Sequence, residues 1–180
     1  MRNSSSLQDR SWWRKCASDL DALTQSFMIA IHPRGKDTVT TDPHTRQFIG
    51  LHVDSWDRLP IADRRNASNR ICVNVGHSPR YFLFVNRSLA AIESALGFDQ
   101  LNVTGANPTE IARSFLCRFP NYPVLRIQVD PDEAYIAPTE NIIHDGSSSE
   151  STGCTGHVTL RGSIDVIDKR IRCAQNLTRR

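Results

Sequence analysis

From Gln47 onward the chain is cut into short runs of β-branched and aromatic residues, each closed within a few positions by Pro, Gly, Asp or Asn. The runs cover 48–56, 70–76, 81–86, 124–129, 134–137, 141–144 and 158–166. Short strands punctuated this often indicate an all-β sandwich or barrel rather than a helical or alternating α/β fold. Two helices interrupt them. One spans 88–96 and is stopped by Gly97; the other spans 108–119, with Asn107 as cap, Pro108 at its first position and Glu110 in its first turn. A further amphipathic helix is predicted over 11–31, where Trp13, Ala17, Leu20 and Phe27 recur at helical spacing before the stop His32-Pro33-Arg34-Gly35.

At 180 residues the chain is long enough for one full hydrophobic core and short for two. The expectation is therefore a single domain over 1–180, with the helix at 11–31, a β core at 47–166 and a basic tail at 167–180. Apolar residues make up 39% and charged residues 23%, and no stretch approaches a membrane-spanning length of apolar residues. The start, Met-Arg-Asn-Ser-Ser-Ser, is polar where a secretory signal would be apolar, which points to a cytoplasmic protein. Cys16, Cys72, Cys117, Cys154 and Cys173 are odd in number and show no C-x-x-C spacing, so free thiols are expected rather than a disulfide framework or a zinc site. A net charge of +3, with scattered Lys and Arg, argues against nucleic acid as a partner. The basic tail reads as a solvated terminus, and no membrane partner is expected.

Within the first β run stands the triplet His52-Val53-Asp54. On a strand, residues two apart point to one face about 7 Å apart at their Cα atoms, so an imidazole and a carboxylate so placed can grip one metal ion. A second imidazole from another strand would complete two histidines and one carboxylate on one side of the metal, the set used by non-haem Fe(II) oxygenases. His144, in Glu140-Asn-Ile-Ile-His144-Asp, is the candidate; His157 is its rival. In the last run, Arg161-Gly162-Ser163 places a guanidinium and a hydroxyl on one face, a pair suited to binding a carboxylate.

Taken in order, His52-x-Asp54, a distal His144 and a following Arg161-x-Ser163 resemble the Fe(II)/2-oxoglutarate-dependent oxygenases, over roughly 47–166. The resemblance implies a mainly β fold with flanking helices, a double-stranded β-helix (jelly roll) of cupin-like type. It implies that His52, Asp54 and His144 hold iron and that Arg161 with Ser163 binds the far carboxylate of 2-oxoglutarate. It also implies the activity: a dioxygenase that consumes O2 and 2-oxoglutarate, releases succinate and CO2, and hydroxylates or desaturates a small-molecule or amino-acid-like substrate. An intact Asp54 favours these oxidations over halogenation. Two other readings stay open: a cupin-like metal enzyme without 2-oxoglutarate, and a non-catalytic jelly roll that binds a carboxylated ligand.

Arg70 and Asn74, two strand repeats apart on one face, are candidates for contacting the cosubstrate or substrate, and Trp56, Tyr135 and Asn141 are weaker ones. His32, His44 and His77 sit in apparent turns and read as surface residues. The Ser/Gly-rich stretch 145–156 reads as a flexible loop, placed between His144 and the last strand where it could act as a lid.

Overall fold

The computed structural model describes residues 26–97 and 107–162, and within them the chain is mainly β. Seven strands form two antiparallel sheets. The first runs in the spatial order β1 (Ser26–His32), β7 (Thr155–Gly162), β2 (Asn69–Asn74) and β5 (Ala134–Ala137). The second runs β4 (Leu125–Val129), β3 (Arg80–Phe84) and β6 (His144–Ser147). The sheets face one another: Phe82 of β3 stacks on Tyr135 of β5 at 4.3 Å, and Arg80 of β3 donates to Cys72 Sγ of β2 at 3.1 Å.

Register decides what points between the sheets. Arg70 lies opposite Arg161, Cys72 opposite Thr159, and Asn74 opposite His157, so these pairs share a face. Across β5, Cys72 lies opposite Tyr135 and Arg70 opposite Ala137. The inward face of the four-stranded sheet is thus unusually polar. Apolar burial is concentrated elsewhere, under two helices.

Those helices are α1 (Leu89–Leu96) and α2 (Pro108–Arg118). Ser88 Oγ accepts from Ala91 N at the start of α1, and Gly97, at φ 75°, ends it by donating to Glu93 and Ser94 carbonyls. Asn107 caps α2 through Thr109 N, ahead of Pro108. Leu89, Ile92, Ile111, Ala112 and Phe115 form a buried cluster that also takes in Val53 and Ile143. That placement matters for the neighbours of those two residues. With Val53 turned into the helical cluster, His52 and Asp54 face the other way, and with Ile143 buried there, His144 does the same.

Four sequence expectations change. The helix predicted at 11–31 does not hold over its last residues, because 26–31 lie in β1, paired with β7 along its whole length; the remainder lies outside the described residues. Met28-Ile29-Ala30-Ile31 satisfies its backbone through β7, and tertiary pairing overrides the helical spacing. The run 48–56 is not a continuous strand: it pairs only at two isolated bridges, Phe48 with Thr41 and His52 with His144. The strand expected at 141–144 begins at His144 and runs to Ser147. The Ser-rich stretch is not a free loop: its first residues are β6, its last are β7, and its serines are tied down. Ser148 Oγ donates to Pro33 O (2.7 Å), Ser151 Oγ to Pro79 O (2.6 Å) and Ser147 Oγ to Lys36 O (3.1 Å). Short hydroxyl side chains satisfy the carbonyls of adjoining loops, which composition alone does not reveal. The basic tail lies outside the described residues, and among those described no helix is long and apolar enough to cross a membrane.

A buried ionic hub holds the segment after Asp54. Glu140, 1% exposed, accepts from the backbone N–H groups of Trp56 (3.1 Å) and Asp57 (2.9 Å) and from Arg161 Nη2 (2.6 Å). Arg64 closes the other side, donating to the carbonyls of Asp54 (2.7 Å) and Glu140 (3.1 Å). Removing one partner of a buried pair strands the other, so Glu140→Ala should lower the unfolding free energy by about 3 kcal/mol. Urea denaturation checks this; a loss below about 1 kcal/mol would mean that Asp57 alone can carry Arg161.

Candidate metal centre

His52, Asp54 and His144 arrive from two segments joined by the His52–His144 bridge, with backbone hydrogen bonds in both directions at 3.0 and 2.8 Å. Their ligand atoms lie within 4.8 Å of one another, and all three residues are buried. Among the described residues this is the one group of three or more His, Cys, Asp or Glu side chains close enough to share an ion. Free thiols take no part: Cys72 is buried, Cys117 and Cys154 are exposed, and Cys16 and Cys173 lie outside the described residues.

Hydrogen bonding sets the orientation of both rings in the same way. His52 Nδ1 lies 2.8 Å from Gly50 O, and His144 Nδ1 lies 3.3 Å from Ile142 O, in each case the carbonyl two residues back. A carbonyl can only accept, so each Nδ1 carries a proton, and in the neutral imidazole each Nε2 keeps its lone pair. Gly50 reaches its position at φ 77°, a conformation that costs glycine nothing. The two Nε2 atoms then face Asp54 at 3.6 and 3.7 Å. Two lone pairs and a carboxylate turned toward one point call for a cation between them. His144 Nε2, buried without a hydrogen-bond partner, fits that demand.

Arg70 completes the charge arrangement, with Nη2 2.6 Å from Asp54 Oδ2. Burial alone would raise the Asp54 carboxyl, but His52, Arg70 and His144 together hold it well below the usual carboxylate range. Burial pushes His144 down to about 3, so it stays neutral and free to ligate. Burial would also lower His52, yet the Asp54 and Asp145 charges outweigh it and raise the imidazole.

The cluster lies on the wall of a cavity of about 560 Å³ that Arg70, Arg80 and His157 also line. Trp56 and Tyr135 line it too. His157 is not in the metal cluster; it stacks on His32 at 5.1 Å, and its Nδ1 is buried without a partner. His32 is therefore half-buried in the cavity and not a surface residue, unlike the exposed His44 and His77.

The residues expected to bind cosubstrate are placed differently. Arg161 spends its guanidinium on Asp57 and Glu140, both at 2.6 Å, and is not among the residues lining the cavity. Ser163 lies outside the described residues. Asn74 is fully engaged, donating to Ser78 O and Val129 O and accepting from Gly76 N, which leaves no atom for a ligand. Asn141 accepts from Leu89 N at the start of α1. Arg80 was not singled out by sequence. The strand predicted from residue 81 begins one residue earlier, and period-two alternation back from Phe84 and Phe82 would have placed Arg80 inward.

No family model and no curated protein matches the chain. Solved structures similar to it are those of a Kdo hydroxylase, described as a non-haem Fe(II) α-ketoglutarate-dependent dioxygenase. Its apo form aligns with a TM-score of 0.47 at 14% identity, and its complex with succinate and Fe(III) with 0.46 at 15%. Each alignment covers 86% of this chain and 60% of the other, so the chain spans about three-fifths of the length of those proteins.

The buried histidines make stability pH-dependent. Burial, with the nearby charges of Arg80, His32 and Arg70, pushes His157 down to about 2. Below its ordinary value near 6.5 the unfolded chain takes up a proton there that the folded chain refuses, so stability falls as pH drops through the window from about 6.5 toward 2. In metal-free buffer, His157→Gln should reduce the slope of unfolding free energy between pH 6 and 4.5 by about 1 kcal/mol per pH unit. An unchanged slope would show that His157 protonates in the folded protein.

Proposed function

We propose that this protein is an Fe(II)- and 2-oxoglutarate-dependent oxygenase that hydroxylates a small organic molecule, built on a double-stranded β-helix core. The observation that carries this reading is the pair of imidazole Nε2 lone pairs turned on one buried carboxylate. Two histidines and one carboxylate are the donor set that suits non-haem Fe(II) and leaves positions open on the opposite side. The set lies on a cavity of about 560 Å³, a size suited to small-molecule ligands.

His52, Asp54 and His144 would hold the metal. Bound there, the iron supplies oxidative decarboxylation of the 2-oxo acid to succinate and CO2, coupled to oxygen transfer into a substrate C–H bond. The chain's own residues prepare for that chemistry. Arg70 keeps Asp54 ionised, and the carbonyls of Gly50 and Ile142 fix the tautomer of each ring. Phe82, 5.9 Å from the His144 ring and stacked on Tyr135, packs behind both rings and supports their placement. The Arg64–Glu140 hub fixes the loop that follows Asp54. Small polar or amino-acid-like substrates fit the mixed lining best.

Anaerobic titration with Fe(II), followed by 2-oxoglutarate, tests the reading: the iron–2-oxo acid chelate absorbs visible light, which neither iron alone nor the acid alone does. His144→Ala and His52→Ala should each weaken Fe(II) binding by more than about 100-fold, while the exposed His44→Ala leaves it unchanged. Iron binding without the visible band would favour a metal enzyme that uses no 2-oxoglutarate. Wild-type iron affinity in His144→Ala would sink the metal site itself.

A further inference from the structure

Beside the cavity that carries the His-Asp-His cluster lies a second one of about 300 Å³, lined by Ile49, Leu51, Thr109, Arg113, Leu116 and Cys117. Ile49 and Thr109 are also walls of the first cavity, so the two adjoin across those side chains. The chain brings them equally close: Leu51 lines the second cavity and His52, the next residue, lines the first. A volume near 300 Å³ stands at the lower end of the range for small-molecule sites.

The two cavities differ in chemistry. Among the described residues, Arg70 Nε, His144 Nε2 and His157 Nδ1 are buried without hydrogen-bond partners, and all three residues line the first cavity. No residue lining the second has such an atom. Its polar groups are already engaged: Thr109 Oγ1 donates to Val53 O at 3.4 Å, and Arg113 Nη1 pairs with Glu110 at 2.7 Å. The wall therefore receives the methylene stem of Arg113 rather than its charge. Leu51 and Leu116 pack against the buried cluster under the helices, which makes the floor apolar. Such a lining rewards aliphatic groups, where the first cavity rewards polar ones.

We propose that the second cavity seats an aliphatic arm of the substrate, which passes Ile49 and Thr109 while the polar reacting part stays beside the His-Asp-His cluster. The proposal rests on the oxygenase reading for the reacting part. It narrows the substrate class to small polar molecules that carry a hydrocarbon chain. Ile49 and Thr109, shared by both cavities, are then the residues that fix how far along the chain the substrate is held.

Calorimetry on the whole protein loaded with Co(II) tests this with n-alkyl hydroxamates, whose head chelates a divalent metal and whose tail varies in length. Affinity should rise from acetohydroxamate through hexanohydroxamate to decanohydroxamate, by up to about fourfold for each methylene buried. Leu116→Trp fills the cavity and should remove that gain while leaving acetohydroxamate within about twofold of the parent. Cys117→Trp, at the exposed rim, serves the same purpose should Leu116→Trp not fold. In the parent, decanohydroxamate should slow alkylation of Cys117 by iodoacetamide several-fold, read by peptide mass spectrometry, and leave the exposed Cys154 unaffected. A flat chain-length series with normal acetohydroxamate binding would overturn the proposal and leave the metal centre standing, as would a gain that survives in folded Leu116→Trp. Equal decanohydroxamate affinity with and without Co(II) would make the cavities independent sites and overturn it too. If Co(II) does not bind, the oxygenase reading fails instead, and decanol titrated into metal-free protein decides the cavity. Binding that is lost in Leu116→Trp keeps the aliphatic site; binding that is absent, or unchanged in that variant, removes it.

Discussion

A carboxylate buried between two sheets is the constraint around which this structure is arranged. Asp54 is 7% exposed, and a charge so placed must be met by other charges or dipoles. Arg70 meets one oxygen directly. In their neutral form the two histidines facing the carboxylate offer lone pairs rather than protons, because their Nδ1 atoms are the donors to Gly50 and Ile142. The centre therefore has an unmet demand for positive charge at one point, and a divalent cation satisfies carboxylate and imidazoles together.

Holding that arrangement is a matter of which side chains point away from it. Val53 and Ile143 are buried in the cluster under α1 and α2, and their insertion turns His52, Asp54 and His144 toward the cavity. The helices thus act on the site through two apolar side chains, each next in sequence to a residue of the His-Asp-His cluster. On the far side, Glu140 and Arg64 fix the backbone from Asp54 to Asp57, so the carboxylate cannot swing out with its loop. Apolar insertion sets direction and ionic bonding sets position.

The buried arginines divide this labour by partner. Arg64 and Arg161 close a structural hub, Arg70 serves the candidate metal centre, and Arg80 is left without a carboxylate among the described residues. One residue type thus has three different consequences, and only the distances separate them. The serines between His144 and β7 give a parallel case. Their composition suggests mobility, while their hydroxyls are bound to carbonyls of Pro33, Lys36 and Pro79.

Local chemistry was legible wherever it acts over a few residues. The cap at Asn107, the stop at Gly97, the strand at 134–137 and the period-two relation of His52 to Asp54 are all short-range, and turn residues mark the strand ends without reference to the rest of the chain. The His-x-Asp and the distant His144 could be named from sequence, but their meeting within 4.8 Å depends on the bridge between two segments far apart in the chain. What sequence could not supply was competition between partners. Arg161 looked like a ligand anchor because Asp57 and Glu140 were not known to lie beside it, and residues 26–31 looked helical because β7 was not known to offer them a complete ladder. Residue type and spacing determine what a side chain is able to bind; which partner it binds is decided only when tertiary packing brings rivals within a few ångströms and burial makes leaving one unpaired costly.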